Sequence, residues 1–227
     1  MNVGPEGERD EAVVFVHGLW LSGFATRYWQ RHLARGGYAV HAFSYASVRG
    51  RLAHNRAALA RFSLALPQNK VHFAGHSLGA VTIVSMLDSL DWRLPGKELG
   101  RIVLAGPPMQ GSRAAHALLG GRGARPVLGR FGGALAGFAL KEWLSGPKPV
   151  VPDGVEVGVI AGSATIGLGR LIAPGLARPN DGTVSVDETR LAGAREHLVL
   201  PVGHTGMLMS PTVARHMLHF ISHGSFT

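Results

Sequence analysis

Short runs of β-branched and apolar residues alternate along this chain with stretches of helical spacing, and this alternation restricts the possible folds more than any other feature. Each apolar run ends at glycine or other small residues. Runs this continuous are typical of strands that are buried on both faces of a sheet. The pattern predicts strands at 12–16, 38–43, 70–74, 101–104, 155–160 and 197–202.

Helices are predicted between these strands, at 26–35, 47–66, 78–90 and 211–221. The last of them has Ser210 placed to cap its first turn and Pro211 as its first residue. Strands that alternate with helices form βαβ units, which build a parallel sheet with helices on both sides. We therefore expect an α/β fold with about six mostly parallel strands flanked by helices.

The stretch 107–149 interrupts the alternation, because it is rich in Gly, Pro and Arg around the apolar segment 131–144. Four large side chains of that segment roughly follow helical spacing: Phe131, Leu135, Phe138 and Trp143. We interpret 107–149 as a cap or lid-like insertion after the fourth predicted strand. A chain of 227 residues is long enough for one substantial core and short for two, so residues 1–227 are expected to form a single domain.

Composition excludes several classes of function. The chain has no cysteine, which rules out disulfides, a thiolate nucleophile and Cys-ligated metal centres. Its formal net charge of +9 comes mostly from scattered Arg residues without a dense basic run, so we expect no nucleic-acid partner. No apolar run is long enough to span a membrane and residues 1–11 do not resemble a signal peptide, so we expect no stable membrane insertion and a cytoplasmic location.

The segment Gly75-His76-Ser77-Leu78-Gly79 matches the pattern G-x-S-x-G. It stands between a predicted strand and a predicted helix, where this pattern forms a sharp turn that presents a nucleophilic serine. The serine of such a turn is held in a strained backbone conformation, and small neighbours are needed to avoid collisions. The pattern predicts Ser77 as a nucleophile, while the alternative is that Ser77 only caps the helix.

A tetrahedral intermediate of acyl transfer needs two N–H donors for its oxyanion. Leu78, the residue after the nucleophile, is expected to supply one of them. The segment His17-Gly18-Leu19-Trp20 ends the first predicted strand, and we expect Gly18 to allow a sharp turn that directs the Leu19 N–H inward. His17 is interpreted as structural, with a hydrogen bond to the backbone of its own loop.

Twelve histidines compete for the role of general base, and position favours His204. It follows the last predicted strand, and active sites of open parallel sheets lie at the carboxyl ends of strands. An orienting acid is expected between nucleophile and base in the chain. Asp181 stands in a turn whose small residues allow a buried carboxylate to accept backbone N–H groups. The rival acids are Asp187, Glu188 and Glu196.

The remaining histidines carry weaker signals. The spacing H-x2-H-x3-H joins His216, His219 and His223 and could hold a metal, but an exposed helix face explains it equally well, so we expect no metal and no cofactor. The others are interpreted as ordinary surface or packed residues: His32, His41, His54, His72, His76, His116 and His197.

Taken together, HGLW, GHSLG, PNDGTVSVDETR and VGHTGML resemble, in this order, the small bacterial lipases and esterases of the α/β-hydrolase superfamily. The resemblance implies a triad of Ser77, Asp181 and His204, with Leu19 and Leu78 as oxyanion donors. The segment 107–112 is similar to the P-x-x-x-G-S segment of many lipase-like members. Only a short segment precedes the first predicted strand, so the resemblance is to the minimal members that lack two leading strands.

The expected activity is cleavage of a carboxylic ester through an acyl-enzyme on Ser77, without a cofactor. The apolar residues Trp20, Leu21 and Met207, which lie near the predicted site, suit an acyl chain, so a small-molecule or lipid ester is the expected substrate. A thioesterase, lactonase or acyltransferase could use the same triad. A non-catalytic binding protein with the same fold is the alternative outside enzymes.

Overall fold

Six strands pair into one parallel sheet in the described part of the chain. The structure is a computed structural model that describes residues 10–89, 93, 95–118, 137–165 and 175–227. The strands are β1 (Glu11–Val16), β2 (Ala39–Phe43), β3 (Lys70–His76), β4 (Glu98–Ala105), β5 (Val157–Gly162) and β6 (Glu196–Leu200). Their order is β2-β1-β3-β4-β5-β6, and every pairing is parallel. All six predicted strands are thus confirmed.

Helices connect these strands, as the alternation predicts. They are α1 (Arg27–Ala34), α2 (Leu52–Leu64), α3 (Leu78–Leu87), α4 (Arg113–Leu118), α5 (Phe138–Ser145) and α6 (Pro211–His223). The predicted cap of α6 is confirmed, because the Ser210 side chain accepts the N–H of Val213. Among the helices of the described residues, none has both the length and the apolar surface that crossing a membrane requires.

Helix α2 begins later than predicted. Its first residue is Leu52, whereas the sequence pattern placed the start at 47. The preceding residues form a turn in which the Gly50 N–H donates to the Ala46 carbonyl. The Leu52 N–H then donates to the carboxylate of Glu142 on α5, at 2.8 Å. A partner from a distant part of the chain therefore sets the start of this helix, which local spacing could not predict.

The insertion is only partly described. The apolar segment predicted at 131–144 ends in α5, whose Trp143 is buried and donates its ring N–H to the Pro108 carbonyl at 2.9 Å. Phe138 is exposed. Phe131 and Leu135 lie outside the described residues.

The core has two halves, one on each face of the sheet. Val14 and Val16 of β1 pack on one face with residues of α2, α3 and α5. Val13 and Phe15 of the same strand pack on the other face with residues of α1 and α6. Successive side chains of a strand point to opposite faces, so this strand is apolar on both. The predicted burial of both faces is confirmed.

The strand order reverses direction at β1. After β1 the chain moves to one side to form β2, and it then returns across β1 to form β3 on the other side. The connections that follow β1 and β3 therefore lead to opposite sides of the sheet, and ligands of open parallel sheets bind at the carboxyl ends of strands where the order reverses in this way. The segments that follow β1 and β3 contain Gly18 and Ser77.

A buried histidine connects three neighbouring strands, β1, β3 and β4, away from the carboxyl ends where Ser77 lies. His72 of β3 donates from Nε2 to the Glu11 carboxylate at 3.0 Å, and its Nδ1 accepts the Arg101 N–H at 2.8 Å. Gly100 leaves room for the ring, because a Cβ there would lie 2.5 Å from Nδ1. Burial lowers the pKa of His72, while Glu11 partly opposes the shift and Lys70 and Arg101 add to it.

This lowered pKa predicts a pH dependence of stability. The unfolded chain binds a proton at this position near pH 6.5, whereas the folded chain does so only at lower pH, so acid favours unfolding below about pH 6.5. His72→Asn removes that titration. Urea unfolding of the variant should show a free energy of unfolding that falls less steeply with acid, by at most about 1.4 kcal/mol per pH unit. His116→Asn makes the same change at an exposed histidine and serves as the matched control variant. Equal slopes for wild type and His72→Asn would contradict this account.

Candidate active site

Ser77 stands in a strained turn between β3 and α3. Its φ of 53° and ψ of −117° are rare for a residue with a side chain. A Cβ on Gly75 would lie 2.8 Å from the Ala80 backbone, and one on Gly79 would collide with the carbonyl of Val16. The prediction that this turn requires small neighbours is therefore confirmed.

Ser77 is more exposed than its neighbours in the chain. Residues 71–76 and 78–80 are buried, whereas Ser77 remains partly exposed. Its backbone is fixed on both sides, since its N–H donates to the Ala105 carbonyl at 3.0 Å and its carbonyl accepts the Val81 N–H at 3.2 Å. The hydroxyl makes no capping hydrogen bond to α3, so the alternative that Ser77 only caps the helix is wrong.

His204 and Asp181 form a buried pair. Nδ1 of His204 lies 2.7 Å from Oδ2 of Asp181; the aspartate is 0% exposed and the histidine 8%. An ionised carboxylate only accepts hydrogen bonds, so Nδ1 carries the proton and, in the neutral ring, Nε2 is left with a lone pair. The backbone N–H of His204 also donates to the Asp181 carbonyl, at 2.9 Å, which joins the two loops a second time.

The turn around Asp181 satisfies its carboxylate. Oδ1 accepts the N–H groups of Thr183 at 2.9 Å and Val184 at 2.7 Å. Gly182 has a φ of +93°, which a residue with a side chain rarely adopts. These contacts confirm the expectation that this turn allows a buried carboxylate to accept backbone N–H groups.

The rival acids have other partners. Asp187 is exposed and pairs with Arg190 at 3.2 Å. Glu188 accepts the N–H groups of Ser185 and Arg113, and Glu196 accepts the Phe226 N–H at 2.7 Å. Of the four candidate carboxylates, all of which the structure describes, Asp181 is the one bonded to His204.

Two glycines that sequence reasoning missed make room for the pair. A Cβ on Gly106 would lie 3.0 Å from His204 Nδ1 and 3.3 Å from Asp181 Oδ2, and the φ of this residue is +59°. A Cβ on Gly162 would lie 2.7 Å from the Asp181 Cβ. Gly106 directly follows β4, and Gly162 ends β5. Their positions at the carboxyl ends of strands are the signal that could have identified them.

The chain turns sharply after β1, as the sequence predicted. Trp20 adopts the positive φ of this turn, at 61°. Gly18 also permits a close approach, since a Cβ there would lie 2.9 Å from His76 Nδ1 and 3.3 Å from the Ser77 Cβ. The Leu21 N–H closes the turn on the Gly18 carbonyl at 3.3 Å. This loop, with Leu19 at its centre, therefore lies beside the Ser77 turn.

His17 has the structural position that the sequence predicted. Its Nδ1 donates to the Gly18 carbonyl at 2.9 Å, and its Nε2 accepts the Tyr45 N–H at 3.3 Å. The Tyr45 hydroxyl donates in turn to the His17 carbonyl at 2.9 Å, and the two rings stack 4.6 Å apart. Burial lowers the pKa of His17, which favours the neutral ring that this pattern of bonds requires.

The residues predicted to contact substrate lie in different surroundings. Trp20 is 52% exposed, and Leu21 is half-buried against the core on the α1 side. Met207 is fully buried, and its Cε would lie 2.6 Å from a Cβ on Gly162. A substrate could reach Met207 only if this packing opened, so its contact with substrate stays a prediction.

The C-terminal histidines direct their Nδ1 atoms at carbonyl oxygens. His216 donates to Phe226, His219 to Ser225 and His223 to His219, at distances of 2.8 to 3.1 Å. Within the described ranges, no group of three or more His, Asp or Glu side chains is arranged to hold a metal ion. The bonds of His216 and His219 hold the last residues of the chain against α6.

Three solved structures share the fold. A lipase of Bacillus licheniformis in its mature form is 18% identical with a TM-score of 0.72, over 99% of this chain and 94% of that one. A metagenomic carboxyl esterase is 21% identical with a TM-score of 0.63, over 90% and 66%. A carboxylesterase of Bacillus subtilis is 17% identical with a TM-score of 0.57, over 98% and 86%. At sequence identities this low, the structural similarity shows a common fold and nothing further.

No curated protein sequence matches this chain significantly. A model of the alpha/beta hydrolase family matches residues 13–217, which is most of the chain. The six-stranded parallel sheet flanked by helices is the architecture that the resemblance implied, and the expected fold class is confirmed. This protein therefore belongs to the alpha/beta hydrolase family.

Proposed function

We propose that this protein cleaves carboxylic esters through an acyl-enzyme on Ser77, with His204 as general base and Asp181 as the acid that orients it. The observation that carries the proposal is the buried hydrogen bond between His204 Nδ1 and Asp181 Oδ2 at 2.7 Å, at the sheet edge where Ser77 is partly exposed. Acyl transfer needs a base oriented by a buried carboxylate and a nucleophile in a strained turn, and the chain supplies both.

The first step is attack of the Ser77 hydroxyl on the ester carbonyl. His204 Nε2, whose lone pair is free while Nδ1–H binds Asp181, takes the hydroxyl proton as the oxygen to carbon bond forms. The resulting imidazolium is stabilised by the Asp181 carboxylate, which remains ionised. The same proton then passes to the alcohol that leaves, and the acyl group stays on Ser77.

The negative charge of the tetrahedral intermediate needs donors that are already in place. Leu78 is the first residue of α3, so its N–H has no partner within the helix and the positive end of the helix dipole lies behind it. The Leu19 N–H is the second proposed donor, from the loop whose Gly18 approaches the Ser77 Cβ. Hydrolysis follows when His204 activates a water against the acyl-enzyme.

The proposed substrate carries an apolar acyl group. Trp20 and Leu21 belong to the loop that supplies Leu19, so apolar surface adjoins the proposed oxyanion site. The structural relatives, which are named as lipase and carboxylesterases, support an ester as the bond that is cleaved. The proposed cap at 107–149 would cover the acyl chain; its central part lies outside the described residues.

A panel of nitrophenyl esters from acetyl to palmitoyl tests the proposed reaction. The wild-type protein should hydrolyse at least part of this series, and Ser77→Ala should lose roughly 10³-fold or more in kcat because the nucleophile is absent. Released nitrophenolate gives the rate. Activity that survives Ser77→Ala unchanged would contradict the proposal. A preference for thioesters, lactones or transfer to an added alcohol would keep the triad and change the substrate class.

The identity of the acid has a matched test. Asp181→Asn preserves the shape of the side chain but removes the charge that holds His204 in its working tautomer, so kcat should fall by about 10³ to 10⁴-fold. Asp187→Asn makes the same change at the rival acid that is closest to Asp181 in the sequence. Asp187 is exposed, so this variant should keep a kcat close to wild type. Steady-state kinetics on the preferred ester compares them. A larger loss in Asp187→Asn than in Asp181→Asn would reverse the assignment.

A further inference from the structure

His76, the residue before Ser77, is buried against the loop that carries His204. It is 2% exposed, and its Nε2 lies 2.9 Å from the His204 carbonyl oxygen. A carbonyl oxygen only accepts, so Nε2 carries the proton and donates it. The two rings pack with their centroids 4.8 Å apart. One side chain of the serine turn thus binds the backbone of the proposed base directly.

The other ring nitrogen faces the loop after β1. Within the described part of the chain, His76 Nδ1 has no hydrogen-bond partner and is fully buried. A Cβ on Gly18 would lie 2.9 Å from it, so the Gly18 backbone packs directly on this edge of the ring. The imidazole therefore fills the space between the loop of Leu19 and the loop of His204.

The surroundings of His76 keep its ring uncharged. Burial lowers the pKa of His76 to about 3, and the charges of His204 and His17 add to this effect, while the hydrogen bond to the His204 carbonyl and the charge of Asp181 oppose it. A neutral ring with its proton on Nε2 still donates to the His204 carbonyl, and its Nδ1 carries no proton. Because it stays neutral, His76 neither competes with His204 as a base nor repels the imidazolium that forms during catalysis.

A second buried ring binds the same loop. Trp29 of α1 donates its Nε1–H to the Met207 carbonyl at 2.9 Å, and its ring lies edge-on to His76 at 6.2 Å. The segment from His204 to Met207 is therefore bonded at both ends by N–H donors from other elements. Buried carbonyl groups that lose such donors are costly, so the loop has a strong preference for this position.

We propose that His76 is a positioning residue, which acts through its Nε2–H bond to the His204 carbonyl and keeps the proposed base at a fixed distance from the Ser77 turn and the Leu19 loop. This inference rests on the proposed function for its kinetic consequences, whereas its structural part concerns the His204 loop alone. It explains why the position between Gly75 and Ser77 holds a large ring.

Three variants separate positioning from packing. His76→Asn retains an atom near Nδ1 but loses the donor at Nε2, and His76→Gln retains an amide N–H close to the position of Nε2. His72→Asn makes the first change at a buried histidine of the same strand whose partners are Glu11 and Arg101. His76→Asn should lower kcat roughly 10 to 100-fold with KM within about twofold, because a small displacement of a base slows proton transfer. His76→Gln should recover most of the loss, and His72→Asn should keep wild-type kcat.

A second measurement does not depend on activity. The proton shared by His204 Nδ1 and Asp181 should give a low-field proton NMR signal, assigned by its loss in Asp181→Asn. His76→Asn should shift or broaden this signal in folded protein, and His76→Gln should restore it. An unchanged signal and kcat in His76→Asn, or an equal loss in all three variants, would overturn the proposal. If the wild-type protein cleaves no ester, the proposed function fails and the NMR comparison alone decides the role of His76.

Discussion

A carboxylate buried away from water is unfavourable unless hydrogen-bond donors surround it, and the Asp181 side chain meets this condition with three of them. Two are backbone N–H groups of its own turn, and the third is the His204 ring. The local turn therefore compensates most of the cost of burial, and the histidine completes it. For this reason the ring has one strongly preferred orientation, and the geometry of the whole site follows from it.

Glycine residues, which have no side chain, leave the space that this arrangement needs. Gly106 and Gly162 leave room beside the pair, Gly18 and Gly79 allow the chain that ends β1 to approach the Ser77 turn, and Gly75 allows α3 to pack against the end of β3. Strain at Ser77 persists because β3 is paired on both sides and α3 is buried, so the surrounding fold imposes the turn. A central strand and a buried helix are elements that resist the relaxation which would otherwise remove such strain.

The sequence predicted what local patterns determine. Strand alternation, the serine turn and the turn at Asp181 depend on residues close together in the chain, and these expectations are confirmed. The start of α2 depends on Glu142, and the bond from His76 joins residues 128 positions apart, so neither had a local signal. The sharp turn after β1 was expected from Gly18, but the positive φ of Trp20 and the close approach of Gly18 to His76 depend on folded neighbours and had no local signal.

The central claim is that His204, oriented by Asp181, activates the Ser77 hydroxyl. Labelling with a fluorophosphonate, followed by intact mass and peptide mapping, measures this directly, because the reagent forms a stable adduct with an activated serine. The account predicts one adduct for each chain, located on Ser77, with much slower labelling in a folded His204→Ala variant and none in Ser77→Ala. An adduct on a different residue, or a folded wild-type protein that does not react, would contradict it.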